Sequence, residues 1–260
     1  MIDYLYQTSD FNLFLLLSFF FIFISACALF FIRWFFPLHL RYQENAVIGC
    51  TSALIIMIYG VLAGFATLYL INNNNLASDA VQREASAVAD MYQVSQGLAN
   101  PARTQIQADM KNYLDEVIKI EWPLMSVGKA INDVGSTLIG KVVNQLTHYT
   151  TSNSTETIVL THMLGISKNL YDARQQRIQM SYTSLSNEIW VVILVGTILT
   201  LCVSYLFGVN FYLHFFIVIA AALMTSSIIF LLISLDKPFQ GEFLVGPDMY
   251  QTVLTFLNKS

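Results

Sequence analysis

Chemistry in a protein needs placed acids, bases, nucleophiles or metal ligands, so the residues able to supply them come first. The four histidines are scattered: His39 in a short loop, His148 and His162 on either side of a break at 150–154, and His214 near the start of an apolar run. Cys27, Cys50 and Cys202 each stand inside an apolar run, with no CxxC or neighbouring histidine. That pattern predicts small core residues rather than zinc, haem or redox chemistry. HExxH, GxSxG, Walker A and GxGxxG patterns are absent. Asp115, Glu116 and Glu121 form a carboxylate cluster with Lys111 and Lys119 at helical spacing, which reads as a solvated face of ion pairs. Asn153-Ser154-Thr155 matches a glycosylation sequon too short to carry weight. No catalytic constellation emerges, so the expectation is a protein that is not an enzyme and has no cofactor or metal. Without a basic run, nucleic acid is not an expected partner.

The elements that hold these residues explain their scarcity. Of 260 residues, 55% are hydrophobic and only 12% charged, and mean hydropathy is +0.57. A soluble domain carries about twice that charge. Four runs lack any charge: 11–32, 46–71, 189–209 and 211–235, of 22, 26, 21 and 25 residues. Each reaches the ~20 residues that a helix needs to cross a bilayer. The first is too long for a signal-peptide core and ends in Arg33-Trp34, an interfacial anchor pair, so it reads as a retained span. Only Gly208-Val209-Asn210 joins the last two runs, which demands a tight antiparallel pair.

The segment between the second and third spans is helical by its apolar spacing. Ala77, Ala80, Glu84, Ala85, Val88 and Met91 follow one stripe, and Ile106, Met110, Tyr113, Leu114 and Val117 another. Val127, Ile131, Val134, Leu138, Val142 and Leu146 continue it, then Ile158, His162, Ile166, Leu170 and Ala173 after the break. The last two stripes predict a stalk-like hairpin. Its second arm, 156–188, is long enough to run unbroken into the third span as ~50 Å of helix.

The fold class is therefore all-α, a polytopic membrane protein whose natural partner is the lipid bilayer. Its parts are a transmembrane hairpin at 1–71, a helical extramembrane domain at 72–188, and a second transmembrane hairpin with an interfacial tail at 189–260. Four spans place both termini and the domain on one side. Arg83, Arg174, Arg177 and Lys237 there, against Arg33 and Arg41 in the opposite loop, point to the cytoplasm. The spans hold no Asp, Glu, Lys or Arg, which argues against a proton relay or voltage sensor. His214, within a turn of a span end, is expected to snorkel.

The second span is the most polar. It holds Gly49, Thr51, Ser52, Tyr59, Gly60, Gly64 and Thr67, with Asn45 just before it. Gly60 and Gly64 make a GxxxG pair, which lets helices approach closely. The functional alternative is a pore-lining helix in which Leu62 and Phe65 form an apolar constriction that gates by dewetting.

A longer set of motifs carries a resemblance. Tyr59-Gly60-Val61-Leu62-Ala63-Gly64-Phe65 is followed by Arg83-Glu84-Ala85, Tyr92, and Glu121-Trp122-Pro123 with Met125. Leu235-Asp236-Lys237-Pro238-Phe239 with Gly241 closes the last span, before Val245-Gly246-Pro247-Asp248. In this combination the chain resembles the bacterial bestrophin-like membrane proteins, with Gly246 in place of the usual serine and an added run, Asn72 to Asn75. The resemblance implies a bacterial inner-membrane homo-oligomer around a central axis that conducts inorganic ions, anions by analogy. Asp236, Lys237, Pro238 and Gly241 read as a helix stop and turn, with Phe239 docking between domain and spans. Glu84 and Glu121 are expected to cap helices, to pair with Arg83 or Lys119, or to face a vestibule, where they would favour cations. The leading expectation is an ion channel with the second span on the axis. The alternative is a non-conducting sensor or scaffold that binds partners through its hairpin.

Overall fold

The structure is a computed structural model that describes residues 9–35, 45–241 and 245–259; residues 36–44, with His39 and Arg41, lie outside the described residues. Among the described residues every regular element is helical. The four apolar runs become α1 (Asp10–Phe35), α2 (Asn45–Val94), α7 (Asn187–Ser204) and α8 (Phe211–Leu235), all long and apolar enough to cross a membrane. Between them lie α3 (Ala102–Glu116), α4 (Trp122–Ser126), α5 (Val134–Thr147) and α6 (Ser154–Ser181); α9 (Asp248–Lys259) follows the last span.

The unbroken span is not the one expected. Helix α6 stops at Ser181 and α7 starts only at Asn187, because the intervening Leu185 N–H is taken by the Asp236 carboxylate at 2.6 Å rather than by a helical carbonyl. It is α2 that runs on, for 50 residues, straight through Asn72 to Asn75. Asparagine is a mediocre helix former, but no Gly or Pro follows, and Ala77, Ala80, Val81, Ala85 and Val88 continue a buried stripe.

The chain divides into two compact units. The first joins Met1–Asn72 to Ser184–Asp236, and the second joins Asn73–Thr183 to Lys237–Ser260. This redraws the expected domains. Residues 184–188 go with the spans, and the C-terminal tail completes the helical unit, where α9 buries Tyr250 and Leu257.

Within the membrane unit, α1 lies along α8, with Ser18 and Ser226 hydroxyls 3.3 Å apart and Phe14 edge-on to Phe230. Helix α7 ends at Ser204, earlier than its apolar run, and leaves 205–210 as the turn into α8. The Asn210 side chain caps α8 by accepting from the Leu213 N–H at 2.9 Å.

The helical unit has one core, built from Met91, Ile106, Met110, Leu114, Ile139, Val142, Leu146, Met163 and Leu170 among others. The α5–α6 hairpin contributes Ile139, Val142, Leu146, Met163, Ile166 and Leu170 to that core, so it is not a free stalk, while Val134 and Ile158 of the expected stripes are exposed. Its first arm starts at Val134 rather than at 127, since Gly128 turns the chain with φ +68°. Asn153, the sequon residue, instead caps α6 by accepting from the Glu156 N–H at 2.8 Å. A π-turn at Val117–Glu121 precedes α4, whose Pro123 has no N–H to close an α-type bond.

Candidate functional site

Helix α2 is two-faced across the membrane. Ser52, Tyr59, Ala63, Ala66 and Leu70 are buried, the last four of them packing with Leu185, Ile193 and Leu232. The Tyr59 hydroxyl meets Thr197 Oγ1 at 3.0 Å, and its ring lies on Gly196, where a Cβ would collide with it. Ser52 donates to the Ile48 carbonyl at 2.7 Å and Thr67 to the Ala63 carbonyl at 2.9 Å, so both hydroxyls are used along the helix itself. Asn45 clamps Gly208, donating to its carbonyl at 3.0 Å and accepting from its N–H at 2.8 Å. Of the expected set, Asn45, Ser52 and Tyr59 thus serve the fold of the subunit.

Thr51, Gly60, Leu62, Gly64 and Phe65 are exposed. A Cβ added to Gly60 or Gly64 would meet nothing within 4 Å, so among the described residues no helix of the same subunit uses the GxxxG strip. Opposite the buried stripe, at helical spacing, stand Leu54, Val61, Phe65 and Leu68, each at least 53% exposed.

The helical unit holds the strongest electrostatic feature, which the sequence reading missed. Glu84 from α2, Glu121 from the π-turn, and Arg174 and Arg177 from α6 have fully buried side chains. Arg177 grips Glu84 with Nε at 2.7 Å and Nη2 at 3.0 Å, and reaches Glu121 with Nη2 at 2.7 Å. Arg174 Nη1 binds Glu121 at 2.8 Å. Tyr113 donates its hydroxyl to Glu84, and Arg177 Nη1 points at Met125 Sδ at 3.0 Å. Arg174 lies over the Tyr113 ring and Arg177 over the Tyr250 ring. Two acids and two bases cancel, which is what lets charge sit in a core.

Burial alone would raise the Glu121 pKa; the hydrogen bond from Arg174 and the charges of both arginines outweigh it and hold that carboxyl below its usual value. Burial likewise works against the Arg177 charge, but Glu84 more than restores it and pushes its pKa up. Burial, then the Glu84 charge, drive Tyr113 and Tyr250 well above the ordinary phenol range, so both stay protonated.

These partners correct the expected ones. Arg83 bonds Gln176 and the Asp79 carbonyl, and Lys119 pairs with Asp115 at 2.7 Å on the surface, leaving neither for Glu84 or Glu121. Glu121 therefore leaves the Asp115-Glu116 cluster, and Lys111 lies over the Tyr92 ring. The signal was available. Glu84 sits among Ala80, Ala85 and Val88, Glu121 one turn after Val117, and Arg174 and Arg177 one and two turns after Leu170. All four are charges on apolar stripes. Gly135 completes the pocket: a Cβ there would stand 2.5 Å from Arg174 Nη1 and Glu121 Oε1.

Around the cluster, Trp122 packs edge-on against Phe239 at 5.5 Å and Tyr250 at 5.8 Å. Phe239 is thus placed in the aromatic core of the helical unit. Pro238 offers its carbonyl to the Val245 N–H at 3.2 Å, and Gly241, with φ +108°, supplies the turn. Asp236 spends one oxygen on Leu185, within the membrane unit.

Two further expectations change. His214 does not snorkel: it is fully buried, between Arg33 and the end of α7. Cys27, Cys50 and Cys202 are free and exposed, on the outward faces of their helices rather than in a core. His148 bonds back to the Asn144 carbonyl at 2.9 Å, and His162 lies on an exposed face of α6.

Comparison with known proteins matches this architecture to a family. Residues 19–250 match the Bestrophin-like domain, and the chain belongs to that family. Among solved structures, a point variant of a bacterial bestrophin homologue from Klebsiella pneumoniae is 13% identical and covers 95% of this chain and 98% of its own, with a TM-score of 0.71. A second crystal structure of that homologue, phased on zinc, is 12% identical, covers 93% and 97%, and has a TM-score of 0.69. A structure described only as a membrane protein variant is 12% identical over 95% and 97%, with a TM-score of 0.68. At these identities the likeness is one of fold. No curated protein matches the sequence.

Proposed function

We propose that this chain is one subunit of a homo-oligomeric ion channel of the bacterial inner membrane, with its termini and helical unit on the cytoplasmic side. The outward stripe of α2 lines the axis. The carrying observation is that face: Leu54, Val61, Phe65 and Leu68 are exposed along one line of a helix whose other face is packed. A single subunit cannot enclose a pore, and Gly60 and Gly64 leave open space beside the stripe where a neighbouring copy approaches closely. Phe65 takes the constriction, with Val61 and Leu68 a turn away on either side. Leu62 and Thr67 stand off its centre, and Tyr59 has no part in it. Such a ring, free of charge, gates by wetting and dewetting.

Anion conduction is the selectivity that the family analogy suggests, and one objection to it falls away. Glu84 and Glu121 are neutralised inside the helical unit, so neither presents its charge to a vestibule. The scaffold alternative drew on a free hairpin, and the burial of the hairpin stripe in its own core favours the channel.

The test is ion flux into liposomes holding the purified full chain, with reversal potentials for sign. Native protein is expected to conduct anions over cations, and Phe65→Ala to raise flux several-fold without loss of assembly. Silence across varied lipid, pH and calcium, or a Phe65→Ala flux equal to native, counts against the proposal.

A further inference from the structure

The outward line of α2 changes character at one residue. From Val47 it runs through Cys50, Leu54, Val61, Phe65 and Leu68, all exposed, and none of these side chains carries an oxygen or a nitrogen. Thr51, Thr67 and Tyr69 stand on the flanks of that line, and Thr67 spends its hydroxyl on the Ala63 carbonyl. One helical turn past Leu68 comes Asn72. It ends the membrane unit's first stretch and is the first side chain on the line that makes ordinary hydrogen bonds. The four asparagines do not share a face. Asn73 is buried and Asn74 half-buried, whereas Asn72 is exposed, one turn from Leu68 and two from Phe65. Helix α2 passes through all four without a break, so its period carries the apolar line onto the Asn72 amide.

We propose that Asn72 is the ion ligand at the end of the apolar constriction and favours anions there. The assignment rests on the channel reading, in which the same line of α2 faces the axis. An ion passing rings of Val61, Phe65 and Leu68 gives up hydrogen bonds to water that those side chains cannot replace. A ring of Asn72 amides, ~6 Å along the helix from Leu68, offers the first replacement. Each amide brings two N–H donors and one carbonyl acceptor. The donors serve an anion directly, and the group has no charge to repel it. A carboxylate at the same place would only accept, and its negative charge would repel anions and gather cations. The described carboxylates of the membrane unit, Asp10, Glu188 and Asp236, stand outside α2, so none of them takes that position on the line. The asparagine run that departs from the family pattern thus puts a neutral donor where the apolar wall ends.

The test is flux and reversal potential of the full chain in liposomes under a potassium chloride gradient, for the native protein and three Asn72 variants, with the assembly of each checked by size. The native chain is expected to pass chloride over potassium. Asn72→Leu lengthens the apolar wall by a turn and should cut flux about tenfold, the effect of losing one hydrogen bond to a charged group. Asn72→Gln keeps the amide and should hold most of the flux and the native reversal potential. Asn72→Asp should move the reversal potential toward that of potassium, a ratio that does not depend on how much protein is active. A residue that only ends the span would leave that potential unmoved. A native chain silent in every lipid overturns the channel reading and this assignment together. In a native chain that conducts, an undiminished flux in Asn72→Leu or an unmoved reversal potential in Asn72→Asp overturns the assignment alone. A native preference for potassium overturns the anion role of Asn72 and leaves a channel standing.

Discussion

The two units pack their helices by different means, and their solvents explain it. In the membrane unit, small or lightly polar residues, Ser18, Ser25, Ala63, Ala66, Thr197, Ala222, Thr225 and Ser226, share the buried positions with larger ones such as Leu29, Leu70 and Leu232. Large side chains such as Phe19, Phe23, Phe31 and Leu54 point outward. Lipid tails are as apolar as these side chains, so burying them gains little, and close approach with satisfied hydroxyls holds the helices together. The helical unit is the reverse. Its core holds Tyr113, Met91, Met110 and Leu114, because water rewards their removal, and it also holds two acids and two arginines. Charge is tolerated there only because it is matched within the core.

That contrast can be broken most forcefully at Arg177. Arg177→Met strands Glu84 in the core and leaves Glu121 with one partner, and should destabilise the helical unit by about 3–5 kcal/mol in denaturant unfolding of the full chain. Adding Glu84→Gln to that variant should recover part of the loss. A single variant of native stability would show that the cluster is not a matched set.

Gly135→Ala sharpens the same point by sign. Helix propensity alone favours alanine by about 1 kcal/mol. Crowding against Arg174 and Glu121 should instead make the variant less stable by about 1–3 kcal/mol.

Acid tests the cluster without mutation. Glu121 has a lower pKa folded than unfolded, so its contribution is fully present above the unfolded carboxylate value of about 4.3 and is lost as pH falls through the folded value. The unfolding midpoint should hold from neutral pH to about 5 and fall below that. A midpoint that rises on acidification would reverse the sign.

The smallest effect belongs to the spans. Tyr59→Phe loses the bond to Thr197 and should cost about 0.6 kcal/mol, the usual value for such pairs between membrane helices. A loss as large as that of Arg177→Met would erase the contrast between the units.

Much of this was legible in the residues. The four spans follow from uninterrupted apolar length, a local property that no tertiary contact needs to supply. The core stripes of the helical unit follow from helical spacing from Ile106 to Val117 and from Ile166 to Ala173, whereas Ile158 and His162 of the expected stripe are exposed and Met163 turns inward. The family motifs at 59–65, 121–125 and 235–241 also marked positions that the fold uses, though not always as expected: Phe239 joins Trp122 and Tyr250, and Tyr59 turns to Thr197.

What tertiary structure decided was which face and which partner. Periodicity places Glu84 and Arg177 on apolar stripes but cannot pair positions 93 residues apart; only the packing of α6 on α2 does that. Nor can it say whether the polar side of a span looks toward its own subunit or away, since Tyr59 and Gly60 are neighbours in sequence and face opposite surroundings. The break before α7, the run-through of α2 and the burial of His214 likewise depend on contacts from distant residues, Asp236 and Arg33 among them. The sequence alone determined an all-helical membrane protein with four uncharged spans, because hydrophobic length and period are written locally. The matched charges, the free face of α2 and the contact of His214 with Arg33 exist only once distant side chains meet.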